Sequence, residues 1–233
     1  MLLKAVIKSV WYNIAMPVSN AAIWAATTKN RLRLADYLES LSPEDWNTTS
    51  LCRGWLVRDV VAHLILETRY SAFTSLPEFI ASGLSFNRFF YKTAKKYGDN
   101  PSSQLIADLR AASGRQLSPP FGSPRNVYID LLVHEQDIRI PLNAKSELLP
   151  DELLLVFSDW KPGDTLGEKL VGVQEISQGL SWVADDIDWQ TGHGPLVLGC
   201  AQDIMMSLAG RRTALNSLRG DGVPILTRKL ADR

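Results

Sequence analysis

Three side chains stand out by their surroundings. His63 lies in Val60-Val61-Ala62-His63-Leu64-Ile65-Leu66, and Asp130 and His134 lie in Val127-Tyr128-Ile129-Asp130-Leu131-Leu132-Val133-His134. An imidazole or carboxylate carried into an apolar interior must neutralise, pair or bind a metal, because burying it alone is costly. Asp130 and His134 are four residues apart, so on a helix they project from one face toward one point. Two imidazoles and one carboxylate can hold a divalent cation and leave coordination positions open for chemistry. The plainer reading is a hydrogen-bonded core histidine at position 63 and a buried acid–imidazole pair at 130 and 134, which burial requires as much as catalysis does.

The remaining polar candidates are weaker. Asp59 and Glu67 flank His63 at four-residue spacing. They read as partly exposed acids paired with Arg58 or Arg69, or, for Glu67, as an acceptor that fixes the His63 tautomer. Asp137 and Arg139 read as a helix-end ion pair, with Asp137 alternatively supporting His134 from one turn away. Cys52 and Cys200 read as buried free thiols. Trp46 and Trp55 read as packing residues ahead of the helix that carries His63. His193 falls in the turn Thr191-Gly192-His193-Gly194 and is not taken as a ligand. No phosphate-cradling glycine loop and no Gly-x-Ser-x-Gly elbow occurs, so neither a nucleotide enzyme nor a Ser–His–Asp hydrolase is supported.

The elements that must position these groups are mostly helical. Ala21 to Leu41 has helical apolar spacing and ends at Ser42-Pro43, where Asp45 makes a short capping box. A helix is expected over 56–73, apolar on nearly every side and hence central in a bundle. One helix is expected over 76–98, another over 104–117, and one carrying Asp130 and His134 that stops near Pro141. Beyond Trp160 the character changes. Residues 179–185 alternate as a strand, 191–195 read as a turn, 196–198 as a short strand and 200–209 as a helix closed by Gly210. The expected organisation is mainly α: an N-terminal helical arm (1–21), a four-helix metal-binding bundle (22–149) and a small α+β domain (150–233).

With 233 residues, 45% of them hydrophobic, the chain can bury a sizeable core. Lys plus Arg and Asp plus Glu both number 25, and no basic stripe with interleaved aromatics occurs, so nucleic acid is not an expected partner. Two cysteines cannot build a disulfide framework, which fits a reducing cytoplasm. Residues 1–20 are fairly apolar with Lys4 and Lys8, but Asn13, Pro17, Ser19 and Asn20 interrupt them, so membrane contact through this segment is the less favoured alternative to an arm packed on the protein.

Several motifs together resemble the mycothiol-dependent maleylpyruvate isomerase family, within the DinB/YfiT superfamily. They are Leu41-Ser42-Pro43-Glu44-Asp45-Trp46, then Ser50-Leu51-Cys52-Arg53-Gly54-Trp55-Leu56-Val57-Arg58-Asp59-Val60-Val61-Ala62-His63-Leu64, and Val133-His134-Glu135-Gln136-Asp137-Ile138-Arg139. Gly179 to Asp188, Ser207 to Arg211 and Gly220 to Pro224 continue the likeness. The resemblance implies a four-helix bundle whose metal, usually zinc, is held by His63, Asp130 and His134. Those isomerases often carry Glu where Asp130 stands, a longer reach. The resemblance further implies a role in activity for an arginine of the C-terminal part, matched here by Arg211, which would act as a catalytic cation holding a carboxylate. It also implies mycothiol or a similar small thiol as cosubstrate, activated for isomerisation or S-transfer on a small organic electrophile. The rival readings are a non-catalytic metal- or ligand-binding protein on the same fold, and a metal-assisted hydrolase using bound water.

Overall fold

The computed structural model describes residues 18–69, 76–118 and 122–231. It is mainly helical with a small mixed sheet toward the C-terminus. The expected arm lies almost wholly outside the described residues, as does the membrane contact held as its less favoured alternative. No helix among the described residues is long and apolar enough to cross a membrane.

Helix α1 (Asn20–Glu39) starts where the Ser19 hydroxyl accepts the Ala22 N–H, 3.2 Å away, satisfying one of the free N–H groups of a helix start. Helix α2 (Val57–Glu67) is buried along almost its whole length, as its continuous apolar character requires. It begins where the Asp59 carboxylate accepts the Leu56 N–H at 2.7 Å. It is shorter than expected: it ends at Glu67, capped by Thr68, and residues 70–73 lie outside the described set.

The single helix expected over 76–98 is two: α3 (Leu76–Ala81) and α4 (Phe86–Gly98). Gly83 and Leu84 both take left-handed backbone, φ 67° and 57°, which stops the first helix. Ser85 then caps the second by accepting from Arg88 N–H. After α5 (Ser102–Ala112), helix α6 (Pro124–Arg139) opens with a reciprocal Ser123–Asn126 cap and proline at its first turn, and stops just before Pro141.

Helix α1 packs on α5 and α6, while α2 is covered by α4, α5 and α6. This bundle closes over Leu34, Leu38, Val60, Val61, Ile65, Leu105, Leu109, Leu131 and Ile138. Its close approach of α4 to α2 depends on Gly98, where a Cβ would stand 2.7 Å from Asp59 Oδ1. Asp59 is not a partly exposed acid paired with a neighbouring arginine. It is buried, and Lys95 Nζ reaches it at 2.6 Å from α4.

The other half comprises α7 (Pro150–Phe157), α8 (Leu166–Leu170), α9 (Val173–Ser177), β1 (Ser181–Ala184), β2 (Gln190–Gly192), β3 (Leu196–Gly199), α10 (Ala201–Leu208) and α11 (Val223–Ala231). The sheet order is β2-β1-β3, with β1 antiparallel to β2 and parallel to β3, register Trp182 opposite Thr191 and Val197. Strand β2 falls where a turn was expected. It is three residues long and largely exposed, so neither length nor alternation marks it in the sequence. The core here joins Phe157, Trp160, Trp182, Trp189, Val197 and Met205 to Tyr128, Leu132 and Val133 of α6. Helix α6 thus lines both cores, and its remaining face is free to carry polar groups.

Candidate metal centre

That remaining face carries Asp130, His134 and Asp137, at positions i, i+4 and i+7 of α6. His63 meets them from the middle of α2. The His63 and His134 rings lie 4.9 Å apart, edge to face, and both are more than nine-tenths buried. Each turns its Nε2 toward the same carboxylate: His134 Nε2 is 3.5 Å from Asp130 Oδ1 and His63 Nε2 is 3.6 Å from Asp130 Oδ2. Trp55 lies against both imidazoles, at 5.2 Å from the His63 ring and 6.2 Å from that of His134, and Phe90 meets His63 edge-on. Trp46 and Trp55 are packing residues as expected, and Trp55 is also a wall of the site.

The donor set fits a divalent cation on two counts. Ligands held about 2.0–2.2 Å from a tetrahedral zinc stand roughly 3.3–3.5 Å from one another, and one donor atom from each of the three residues lies within 4.8 Å of the others. Asp130 Oδ2 is also buried with no hydrogen-bond partner, the state of an atom that awaits one.

Behind His134 lies a second layer that sequence reasoning found only in part. His134 Nδ1 is 2.8 Å from Asp137 Oδ2, so Asp137 supports His134 and is not the ion-pair partner of Arg139. Arg139 instead bonds Glu135 and Glu147 and lies over the Tyr37 ring. Asp137 is fully buried and receives Arg211 Nε at 3.0 Å and Nη2 at 2.5 Å, a two-pronged pair reaching across from the C-terminal part. Cys52 is half-buried in the same cluster: its Sγ donates to Asp137 Oδ2 at 3.1 Å, lies 3.5 Å from His134 Nδ1, and accepts from Arg211 Nη2 at 3.4 Å. Cys52, His134 and Asp137 also form a possible metal-binding group, but there the Arg211 guanidinium already supplies the positive charge. The sequence offered one signal for Cys52, its place in the loop motif just before Trp55. That loop is tied to α6 by the Leu51 N–H, which donates to the Asp137 carbonyl.

Electrostatics follow from these contacts. Burial pushes the imidazoles down, yet Glu67 and Asp130 raise His63 to about 9, and Asp130, Cys52 and Asp137 raise His134 well above its usual range. Burial pushes the carboxyls up, yet His134 and His63 hold Asp130 far below the usual range, and His134 and Arg211 do the same to Asp137. Glu67 is raised, by burial and by the Asp130 charge beside it. Its Oε1 lies 3.3 Å from His63 Nε2 (the nitrogen aimed at Asp130), so it does not address Nδ1, as a tautomer-fixing acceptor would. His193 is exposed and belongs to neither cluster. Cys200 lies outside the site, its thiol pushed up to about 12 by burial and by Asp203.

Residues 28–115 match the mycothiol maleylpyruvate isomerase N-terminal domain. The match covers most of α1 through α5 and includes His63, but stops short of α6. A crystal structure of the mycothiol-dependent maleylpyruvate isomerase superposes with a TM-score of 0.54 at 13% identity, covering 87% of this chain and 93% of that one. The structure of a histidine-to-alanine mutant of that isomerase superposes with a TM-score of 0.53 at 12% identity, with the same coverage. At such identity the likeness is one of fold, and it carries the isomerase fold through both halves of this chain. No curated protein sequence matches the chain.

Proposed function

We propose that the chain is a metal-dependent enzyme, zinc being the preferred cation, that activates a low-molecular-weight thiol such as mycothiol for isomerisation or S-transfer on a small electrophilic substrate. The observation that carries this reading is the approach of His63 Nε2 and His134 Nε2 to the two oxygens of Asp130, one of them buried without a hydrogen-bond partner. A divalent cation held there would lower the pKa of a thiol, ordinarily about 8.5, so that thiolate is available at neutral pH.

The chain's own groups divide the remaining work. Asp137 fixes His134 by accepting from Nδ1–H, which keeps the Nε2 lone pair free. Arg211 is spent on Asp137 and on the Ala209 carbonyl, so its proposed part is to position His134 through Asp137. Trp55 and Phe90 shield the imidazoles from water. Asp130, with its side chain about one-third exposed, marks the side from which thiol and substrate enter.

The test is metal analysis of protein purified without chelators, followed by cobalt substitution and thiol titration. The reading expects one equivalent of metal, its loss in His134→Ala, a thiol-dependent change in the cobalt spectrum, and turnover of a conjugated electrophile only when thiol is present. A metal spectrum indifferent to thiols would remove the thiol chemistry.

A further inference from the structure

Glu67 is the acid this reading leaves without a task, although it stands against the same His63 nitrogen that is aimed at Asp130. It follows His63 by one turn of α2, and its Oε1 is nearer to His63 Nε2 (3.3 Å) than Asp130 Oδ2 is (3.6 Å). That separation is what two ligands of one tetrahedral cation show, roughly 3.3–3.5 Å. An imidazole nitrogen has a single hydrogen or a single lone pair. Once a cation takes the His63 Nε2 lone pair, neither carboxylate can keep its ion pair with a protonated His63, and each must turn to the cation or lose that partner. Among the described residues the Glu67 side chain makes an ion pair with His63 and with no Lys or Arg. Nearby Arg31, also buried, donates to the Ser113 and Arg115 carbonyls.

Resting on the metal-site reading above, we infer that Glu67 is a fourth, displaceable ligand, giving a set of two imidazoles and two carboxylates. Two carboxylates balance the charge of a divalent cation, where Asp130 alone leaves a buried excess of one. The two histidine side chains are 8% exposed and Glu67 is 21% exposed. Asp130 is more exposed, at 34%, but its side chain is shorter and sits in the middle of α6. Glu67 is longer and is the last residue of α2, which makes it the member best able to swing aside. An incoming thiol would then take the position that Glu67 vacates, and the carboxylate would close the site when no thiol is present.

Cobalt titration of the full chain, with affinity read by competition against a chromophoric chelator and coordination read from the visible d–d bands, tests this. Glu67→Gln keeps the shape but offers a poor ligand, and Glu67→Ala removes it; unfolding of the metal-free variants checks that both fold. The inference expects both variants to lose tenfold or more in cobalt affinity, with altered d–d bands. It also expects 2-mercaptoethanol to shift those bands at lower thiol concentration than in the unaltered protein. Affinity within twofold and unchanged bands in Glu67→Gln would overturn it. His134→Ala separates the two levels: if it binds cobalt as well as the unaltered protein, the metal-site reading itself falls. If it loses the metal while Glu67→Gln does not, only the role of Glu67 is refuted.

Discussion

At the scale of single residues, the site depends on who partners whom behind the imidazoles. Asp137 is fully buried, and its charge is matched by Arg211 from the C-terminal part and by His134 on its own helix. Removing one member of a buried pair leaves the other uncompensated, which costs more than the pair is worth. Arg211→Ala is therefore expected to destabilise the fold by about 3 kcal/mol, the low end for such pairs because His134 remains beside the carboxylate. Urea unfolding checks this, and a cost under ~0.5 kcal/mol would show that the pair is not structural. Asp137→Asn keeps the volume but weakens the hold on His134, so zinc affinity should fall by about 10–100-fold with native helicity retained. Chelator competition with circular dichroism reads both, and unchanged affinity would leave Asp137 as a mere charge partner of Arg211.

At the scale of elements, helices α1, α6 and α7 are stitched by one ionic network. Arg33 of α1 donates from Nη1 to both oxygens of Glu152 on α7, each 2.9 Å away, and from Nη2 to Glu135 on α6 at 3.1 Å. Burial pushes the Glu152 carboxyl up, but Arg33 and the Leu149 N–H outweigh it and hold the group below its ordinary 4.5. A carboxyl depressed in the folded state binds its proton more readily in the unfolded one. Its contribution is therefore complete above about pH 4.5 and is lost as pH falls through the lower folded value. Glu152→Gln should cost about 1 kcal/mol at neutral pH, a figure discounted because Arg33 is partly exposed. The variant and parent curves should converge in acid, as stability measured from pH 3 to 7 will show; a gap independent of pH would exclude the network. These contacts also mark what the sequence can and cannot reveal. Helices α1 and α6 are legible because apolar period and caps agree, at Ser19 for the first and at Ser123 and Pro124 for the second. The split between α3 and α4 is not, because it rests on two left-handed residues at 83 and 84 in an otherwise helical pattern. Strand β2 exists only by pairing with β1, a partner that local composition does not announce.

At the scale of the whole molecule, the proposed ligands are legible for the reason that the second layer is not. His63, Asp130 and His134 are polar interruptions of local apolar runs, visible within a few residues. Arg211 and Cys52 reach Asp137 across 74 and 85 residues of sequence, and only the packing of the C-terminal half and of the loop before α2 against α6 brings them together. The candidate centre therefore sits where three separate stretches of chain meet, and a cation bound there would tie α2 to α6 directly and the Arg211 segment through Asp137. A ligand that binds only the folded state stabilises it by about 2.7 kcal/mol at one hundred times its dissociation constant. For a chain of this length, 1 kcal/mol moves the melting temperature by about 2–4 °C, so zinc at that ratio should raise it by roughly 5–10 °C. At the same zinc concentration the rise should vanish in His134→Ala, whose ligand set is broken, and shrink by about half or more in Asp137→Asn, whose affinity is lower by the factor argued above. Thermal scans with matched chelator controls compare the three proteins. An equal rise in all three would place the zinc elsewhere on the molecule and detach the polar face of α6 from any metal chemistry.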